Sequence, residues 1–467
     1  MARASAAIFG LILCAGRAHA QSPSSPPNDV PAAEPKPTKT ATRPLPERAR
    51  GYAQPPRAPL ADVTLFVPRL VLGVPRLAIR LVFWPVQKTL AFMDEHAVVQ
   101  RVKDVLYNDE RTAGIVPKLS VDSFFGVSLG AKAFHENLAG HGEAASIEAR
   151  FGGFYRSAAQ LAFRANHFGG SPLWLESLTR QDSKPGLLFE GIGEPAVRAD
   201  GHDLDPRQAA VETRFHERRL LALLRGGYSI DLRHGLLQLG ATALYSVRDF
   251  GPRQAGDDPS IETVYDTSKL IGFDRRVPVL ESDLNFVLDT RDVAGATSSG
   301  TYLEAFAGHG KGAPGYDFWH HGAEAVHYFD LYRKTRVLIV RGVVEGVEGA
   351  SEKIPFAELP RLGGPNRLRG YPLDRFRDEK ALLGTLEYHY PIHQFVSGAL
   401  YVDVGKVSRS YSGMLDRNAW KVGGGGGFIF RSRDKLSFAF DIAYGDGLQL
   451  LLTADPLRAF AKRDTEL

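Results

Sequence analysis

Cysteine is almost missing from this chain: Cys14 is the only one among 467 residues. It lies in a stretch with Arg3 near its start, an apolar run from Ile8 to Ala15 and the small-residue pattern Ala18-His19-Ala20 before Gln21. This is the pattern of a cleaved secretory signal peptide over residues 1–20, and its removal leaves a mature chain without a thiol. The bulky Leu13 before Cys14 argues against lipoprotein processing. A disulfide-stapled module and a thiolate metal site are thereby excluded. A strong excess of one charge is also lacking. The formal net charge is +4, Arg3 and Arg17 contribute to it, and no basic stripe dominates, which excludes nucleic acid as a partner. Beyond Gly114 no apolar run reaches the roughly 20 residues of a spanning helix, so helical membrane topology is excluded there.

What the chain does contain is enough apolar material, 44% of residues, for a large folded unit. Residues 21–59 are rich in Pro, Ser, Thr and Ala, with pairs such as Pro26-Pro27 and Pro55-Pro56, and read as an extended, disordered tether. Residues 60–112 differ. Val63 to Val86 is largely apolar but carries Arg69, Arg76 and Arg80 and is punctuated by Pro68, Pro75 and Pro85. At about 100° per residue the three arginines share a narrow sector of a helical wheel. This predicts a short amphipathic helix lying in a membrane surface, kinked at its prolines, followed by a second helix to Tyr107.

After Gly114 the pattern has period two almost to the end. Phe438, Phe440, Ile442 and Tyr444 alternate with Ser437, Ala439, Asp441 and Ala443. Leu400, Val402 and Val404 alternate with Ala399, Tyr401 and Asp403, and Leu284, Phe286 and Leu288 with Asn285, Val287 and Asp289. A soluble sandwich and an outer-membrane barrel both produce such faces. The connections discriminate. About sixteen strands are expected over residues 113–460, the first near 119–135, with long connections at 167–185, 250–277, 349–379 and 406–417. Tight turns such as Gly152-Gly153, Arg233-His234 and Arg333-Lys334 follow alternate strands. Long loops at one end and short turns at the other suit an all-β transmembrane antiparallel β-barrel. Two connections break the rule, a long one at 194–208 and a short one at 218–221. Tyr388 and Tyr390 lie on the apolar face near a strand end, where an interfacial girdle belongs.

Three segments resemble the BamA/TamA-type outer-membrane barrel family, also called the bacterial surface antigen family. Leu368-Arg369-Gly370-Tyr371 is similar to the hydrophobic-Arg-Gly-aromatic tip of the family's long loop between the eleventh and twelfth strands, and five strands follow it here. Leu288-Asp289-Thr290-Arg291-Asp292 followed by Gly300-Thr301-Tyr302 resembles its Asp-Thr-Arg-Asp turn. Tyr401-Val402-Asp403-Val404-Gly405 resembles its aromatic-x-Asp-x-Gly strand, and Phe189-Glu190-Gly191-Ile192-Gly193 is a weaker likeness. The resemblance implies that the loop folds into the lumen and that Arg369 binds carboxylates of the inner wall. Independently, alternation points Glu387 inward between Leu386 and Tyr388, and Asp403 inward between Val402 and Val404. A permanently charged, planar guanidinium can bridge two such carboxylates. The plainer reading of the motif is an exposed basic loop that contacts lipopolysaccharide.

The resemblance further implies a role in moving or inserting protein or lipid at the outer membrane, aided by a weakly paired seam between first and last strands. The alternatives are a passive pore and a structural barrel. Expected partners are outer-membrane lipid, lipopolysaccharide and client or periplasmic proteins. The chain departs from the family in carrying only a tether and a short helical segment where assembly factors have soluble periplasmic modules. It departs again in the tail 461–467 after Phe460.

Enzymatic and cofactor signals are absent. Gly126-Val127-Ser128-Leu129-Gly130 has the form of a hydrolase nucleophile elbow, but alternation continues where a helix must follow. The run Gly423 to Gly427 lacks a phosphate-loop lysine and instead marks a bend or a close backbone approach. His320 and His321 lack the helical i, i+4 spacing of a metal site, so neither catalysis nor metal binding is expected.

Overall fold

The computed structural model describes residues 104–110, 112–122, 125–191, 211–293, 297–393, 396–432 and 435–453. The signal peptide, the tether, the stretch bearing Arg69, Arg76 and Arg80, and the C-terminal tail lie outside these residues.

The wall consists of β1 (Ala113–Asp122), β2 (Gly126–His135), β3 (Ala144–Gly152), β4 (Tyr155–Ala165), β5 (Leu173–Glu190), β6 (Glu212–Leu232), β7 (Gly235–Pro252) and β8 (Val277–Asp289). It continues with β9 (Gly300–Gly312), β10 (Tyr316–Tyr332), β11 (Arg336–Glu348), β14 (Lys380–His393), β15 (Val396–Ser408), β16 (Lys421–Ser432), β17 (Lys435–Tyr444) and β18 (Leu448–Thr453). Two further strands of two residues each, β12 (Arg361–Leu362) and β13 (Phe376–Arg377), belong to the loop between β11 and β14. Sixteen strands therefore form the wall. Each pairs antiparallel with its successor, and β18 returns to β1 through the register pair Asp122↔Leu451. The fold is a transmembrane antiparallel β-barrel. Among the described residues no helix is long and apolar enough to cross a membrane.

The faces follow the alternation. On β14, Ala381, Leu383, Thr385, Glu387 and His389 are buried, while Leu386 is 53% exposed on the opposite face. On β15, Ala399, Tyr401 and Asp403 are buried while Leu400 and Val402 are exposed. Apolar side chains thus cover the outside, as contact with lipid requires, and polar ones line the inside.

Three strand assignments from the sequence are corrected. Residues 119–135, expected as one strand, belong to the hairpin of β1 and β2, and β2 opens on Gly126 at φ +84°. Residues 167–185, expected as a loop, mostly belong to β5, and the short turn expected at 218–221 is continuous β6. Both errors have one cause. These strands continue past the lipid layer, where polar residues occupy both faces and period two no longer shows. With β5 and β6 so placed, the connection at 191–211 follows an odd-numbered strand, like 253–276 and 349–379. Those two exceptions disappear, but the tight turn at Gly152-Gly153 now follows odd-numbered β3 and becomes an exception in their place.

Candidate functional site

The site is built by the loop 349–379, which enters the lumen and packs against the inner wall. Its own scaffold is the antiparallel pair β12–β13, in which Arg361 faces Arg377 and Leu362 faces Phe376. Phe376 also pairs in parallel with Glu190 at the end of β5, which ties the loop to the wall through backbone. Leu362, Leu368, Tyr371 and Phe376 join Val343, Ala381 and Leu383 of the wall in one buried apolar cluster.

At the loop tip the chain makes a tight reversal. Leu368 has φ +84° and Gly370 has φ +91°. For glycine this is easy, but for leucine it is strained, and the apolar cluster around the 1%-exposed Leu368 holds it. A Cβ on Gly370 would lie 2.7 Å from the carbonyl carbon of Tyr444, so glycine is also required for close approach to the end of β17. The glycine run of β16 serves the same contact from the other side. A Cβ on Gly423 would collide with the carbonyl oxygen of Arg369. The Tyr371 hydroxyl donates to the carbonyl of Val422 at 3.2 Å, and its ring lies edge-on to Phe376 at 5.4 Å.

Between these anchors Arg369 meets the wall. Its Nε donates to Asp403 Oδ2 at 2.8 Å, its Nη2 to Asp403 Oδ1 at 3.0 Å and its Nη1 to Glu387 Oε2 at 2.7 Å. Its backbone N–H donates to the same Asp403 Oδ2 at 3.0 Å. The carboxylates are held in turn. Thr385 Oγ1 donates to Asp403 Oδ1 at 2.8 Å, and His389 Nε2 lies 2.5 Å from Glu387 Oε1. The guanidinium carbon sits 3.4 Å from the ring centroid of Tyr401, a stacked cation–π contact. Arg369, Glu387 and Asp403 are 3%, 3% and 0% exposed. Burial opposes the guanidinium charge, but Glu387 and Asp403 outweigh it and hold the group well above its ordinary pKa. The structure thus brings Leu368, Arg369, Gly370, Tyr371, Glu387 and Asp403 together.

The loop carries other basic contacts that the motif alone does not mark. Arg367 pairs with Glu345 of β11, and Arg361 with Asp374 at 2.9 Å inside the loop. Arg375 joins three parts of the molecule: Glu190 of β5 at 2.6 Å, Glu212 of β6 at 2.9 Å, and Asp446 in the turn after β17. Arg377 lies 5.0 Å from the ring of Phe356 and 5.3 Å from that of Phe215. Burial and the nearby Arg361 push its pKa down to about 10. The available sequence signal was the recurrence of arginine at 367, 369, 375 and 377 opposite inward-parity acids such as Glu345. Glu190 lay within the weakest of the four resembling segments.

The other marked motifs are structural elements. In the turn after β8, Arg291 makes a two-bond contact with Asp289 at 2.8 and 2.7 Å, and Asp292 accepts from the backbone and hydroxyl of Ser298. Ser128 lies on β2 and donates its hydroxyl to the carbonyl of Gly152 at 2.6 Å, with strand on both sides.

The description of the Omp85 superfamily domain matches residues 137–452 of this chain. None of the curated proteins matches it in sequence. Among solved structures, BamA from Haemophilus ducreyi lacking POTRA domains 1–3 is similar with a TM-score of 0.51 and 14% identity. That match covers 73% of this chain and 69% of the other. CdiB from Acinetobacter baumannii aligns with a TM-score of 0.42 and 13% identity over 74% of this chain and 57% of its own. CdiB from Escherichia coli aligns with a TM-score of 0.45 and 10% identity over 73% and 60%. At these identities the BamA likeness speaks for the fold alone.

Proposed function

The chain belongs to the Omp85 superfamily, and from that premise we propose that it inserts or moves a protein or lipid client at the bacterial outer membrane. In this reading Arg369 is the fastening that keeps the lumen loop seated, and the β1–β18 seam is where the wall gives way. The fastened loop carries the proposal. A guanidinium bound to two wall carboxylates inside the barrel makes a plugged lumen that is opened by moving the loop, in contrast to a channel whose wall charges are free to select ions. The seam supports it. Among the described residues β1 meets β18 at one register pair, whereas it meets β2 at ten. The outward apolar faces take outer-membrane lipid, and we assign the amphipathic stretch with Arg69, Arg76 and Arg80 to the periplasmic leaflet on its sequence pattern.

Purified protein in planar bilayers, combined with photo-cross-linkers placed on β1 and β18, tests the reading. The expected result is no steady conductance and capture of client chains at both strands. Steady, ion-selective conductance without capture overturns it in favour of a passive pore.

A further inference from the structure

On the inner wall, away from the arginine loop, Glu281 and Asp283 of β8 stand near His320 of β10. These strands are not neighbours, since β9 runs between them. The residue of β9 in register with both Asp283 and His320 is Gly308. It has no side chain to separate them, and a Cβ built there would collide with the Asp283 carboxylate. One carboxylate oxygen from each acid and one ring nitrogen of His320 lie within 4.8 Å of one another. Among the described residues this is the one group of three His, Asp or Glu side chains so arranged.

Two further observations bear on this group. His320 Nε2 lies 2.7 Å from Asp283 Oδ1 and Nδ1 lies 3.9 Å from Glu281 Oε2, and the 2.7 Å contact lacks hydrogen-bond alignment although His320 is only 6% exposed. A buried imidazole between two carboxylates without an aligned hydrogen bond is suited to a cation beside it. In addition, the imidazole is held from two sides. Phe306 and Phe318 meet it edge-on at centroid distances of 5.5 and 5.9 Å. Such clamping fixes ring orientation, which a directional metal bond requires.

We propose that Glu281, Asp283 and His320 form a binding site for a first-row divalent cation of the zinc type. An imidazole with two carboxylates suits zinc or its neighbours better than calcium or magnesium, which prefer an all-oxygen shell. Tetrahedral bonds of roughly 2.0–2.2 Å hold ligand atoms about 3.3–3.6 Å apart, so binding opens the 2.7 Å contact of His320 with Asp283 slightly and draws the Glu281 carboxylate inward. Three protein ligands leave a fourth position for water. The helical spacing sought in the sequence was the wrong template, because on a sheet ligands gather from i, i+2 on one strand and from a second strand across a glycine.

The test uses the full chain in detergent, stripped with a chelator and titrated with Zn²⁺ by calorimetry and with Co²⁺ by visible absorption. The expected result is one saturable equivalent with a Co²⁺ d–d band, lost in His320→Ala and weakened at least tenfold in Glu281→Gln. Folding of each variant is read by heat-modifiable mobility. Because His309 and Asp317 form an exposed pair at 2.7 Å nearby, His309→Ala is the control and keeps the site. Absence of saturable binding, or binding that survives His320→Ala and disappears in His309→Ala, overturns the proposal. His320→Gln, which keeps a polar side chain of similar size and removes the imidazole, gives an independent loss if His320→Ala fails to fold.

Discussion

Strands β5, β6 and β7 run for 18, 21 and 18 residues, whereas β1 to β4 run for 10, 10, 9 and 11. About 9–11 residues cross a bilayer, so the second group ends near the membrane surface and the first continues well beyond it. The extensions are not idle. They hold Lys184, Glu217, Arg219 and Asp182 in a buried charge network and, with Arg248 and Glu358, reach the loop. They also carry Phe189, Phe215 and Phe250, which pack with Phe273 and Phe356 in an aromatic cluster. The short side has one described register pair closing the sheet and no comparable cluster among the described residues. One half of the barrel is thus a tall, cross-braced wall that grips the lumen loop, and the other is a thin wall ending at the seam. The lumen loop bridges the two: Arg375 and Glu358 hold it to the tall wall, and Arg369 and Tyr371 hold it to β14, β15 and β16 on the way to the seam.

Breaking the grip at its centre gives the largest effect. Arg369→Ala leaves Asp403 and Glu387 buried without their cation, a loss of about 3–5 kcal/mol, measured by denaturant unfolding followed through heat-modifiable mobility. Protease digestion of the loop after residue 349 is expected to speed up in the same variant, and unchanged protection would sink the fastening role. Gly423→Val is expected to displace the loop tip with every charge intact, because its side chain occupies the place of the Arg369 carbonyl. Overpacking of this kind costs about 1–3 kcal/mol, so its loop protection should fall between wild type and Arg369→Ala.

Acid sharpens the comparison further. Burial raises the Asp374 carboxyl, but Arg361 and then Arg377 outweigh it and hold the group below its ordinary value of 3.8. A carboxyl depressed in the folded state contributes stability that is complete above that ordinary value and is lost as pH falls through the folded one. Arg369, held above its ordinary value, stays charged throughout, so in acid its contact is limited by its carboxylate partners. Loop protection should therefore persist through neutral and alkaline buffers and fail only below about pH 4, and loss between pH 7 and 9 would contradict this charge assignment. The smallest effect belongs to Lys269→Ala. Its contact with Asp266 is 3.7 Å long and exposed to solvent, so no measurable change in the unfolding midpoint is expected.

Much of this was legible in the residues. The inward parity of Glu387 and Asp403 could be read from two flanking apolar residues each, because a pleated strand has no freedom to turn one side chain to the other face. The role of glycine in the 423–427 run was legible as a close approach, though not what approaches. The reach of β5 and β6 was not legible, because strand outside lipid loses its apolar face and the signal fades into loop composition. Arg375 could not be assigned either. Its partners at 190, 212 and 446 lie at the end of β5, the start of β6 and the turn after β17, and the last meets the first two only when the barrel closes.

The sequence by itself determined the lipid-facing set and the inward parity of the acids at 387 and 403, whereas its count of sixteen wall strands was reached by joining β1 to β2 and dividing β6. Facing and parity depend on local periodicity and on the fixed direction of side chains along a strand. Tertiary structure alone decided which glycines the loop tip rests on, which strands stand tall, and that Glu281, Asp283 and His320 share one place on the wall. Those outcomes depend on register between strands and on the packing of a loop inside a closed sheet, and neither is written in the spacing of residues along the chain.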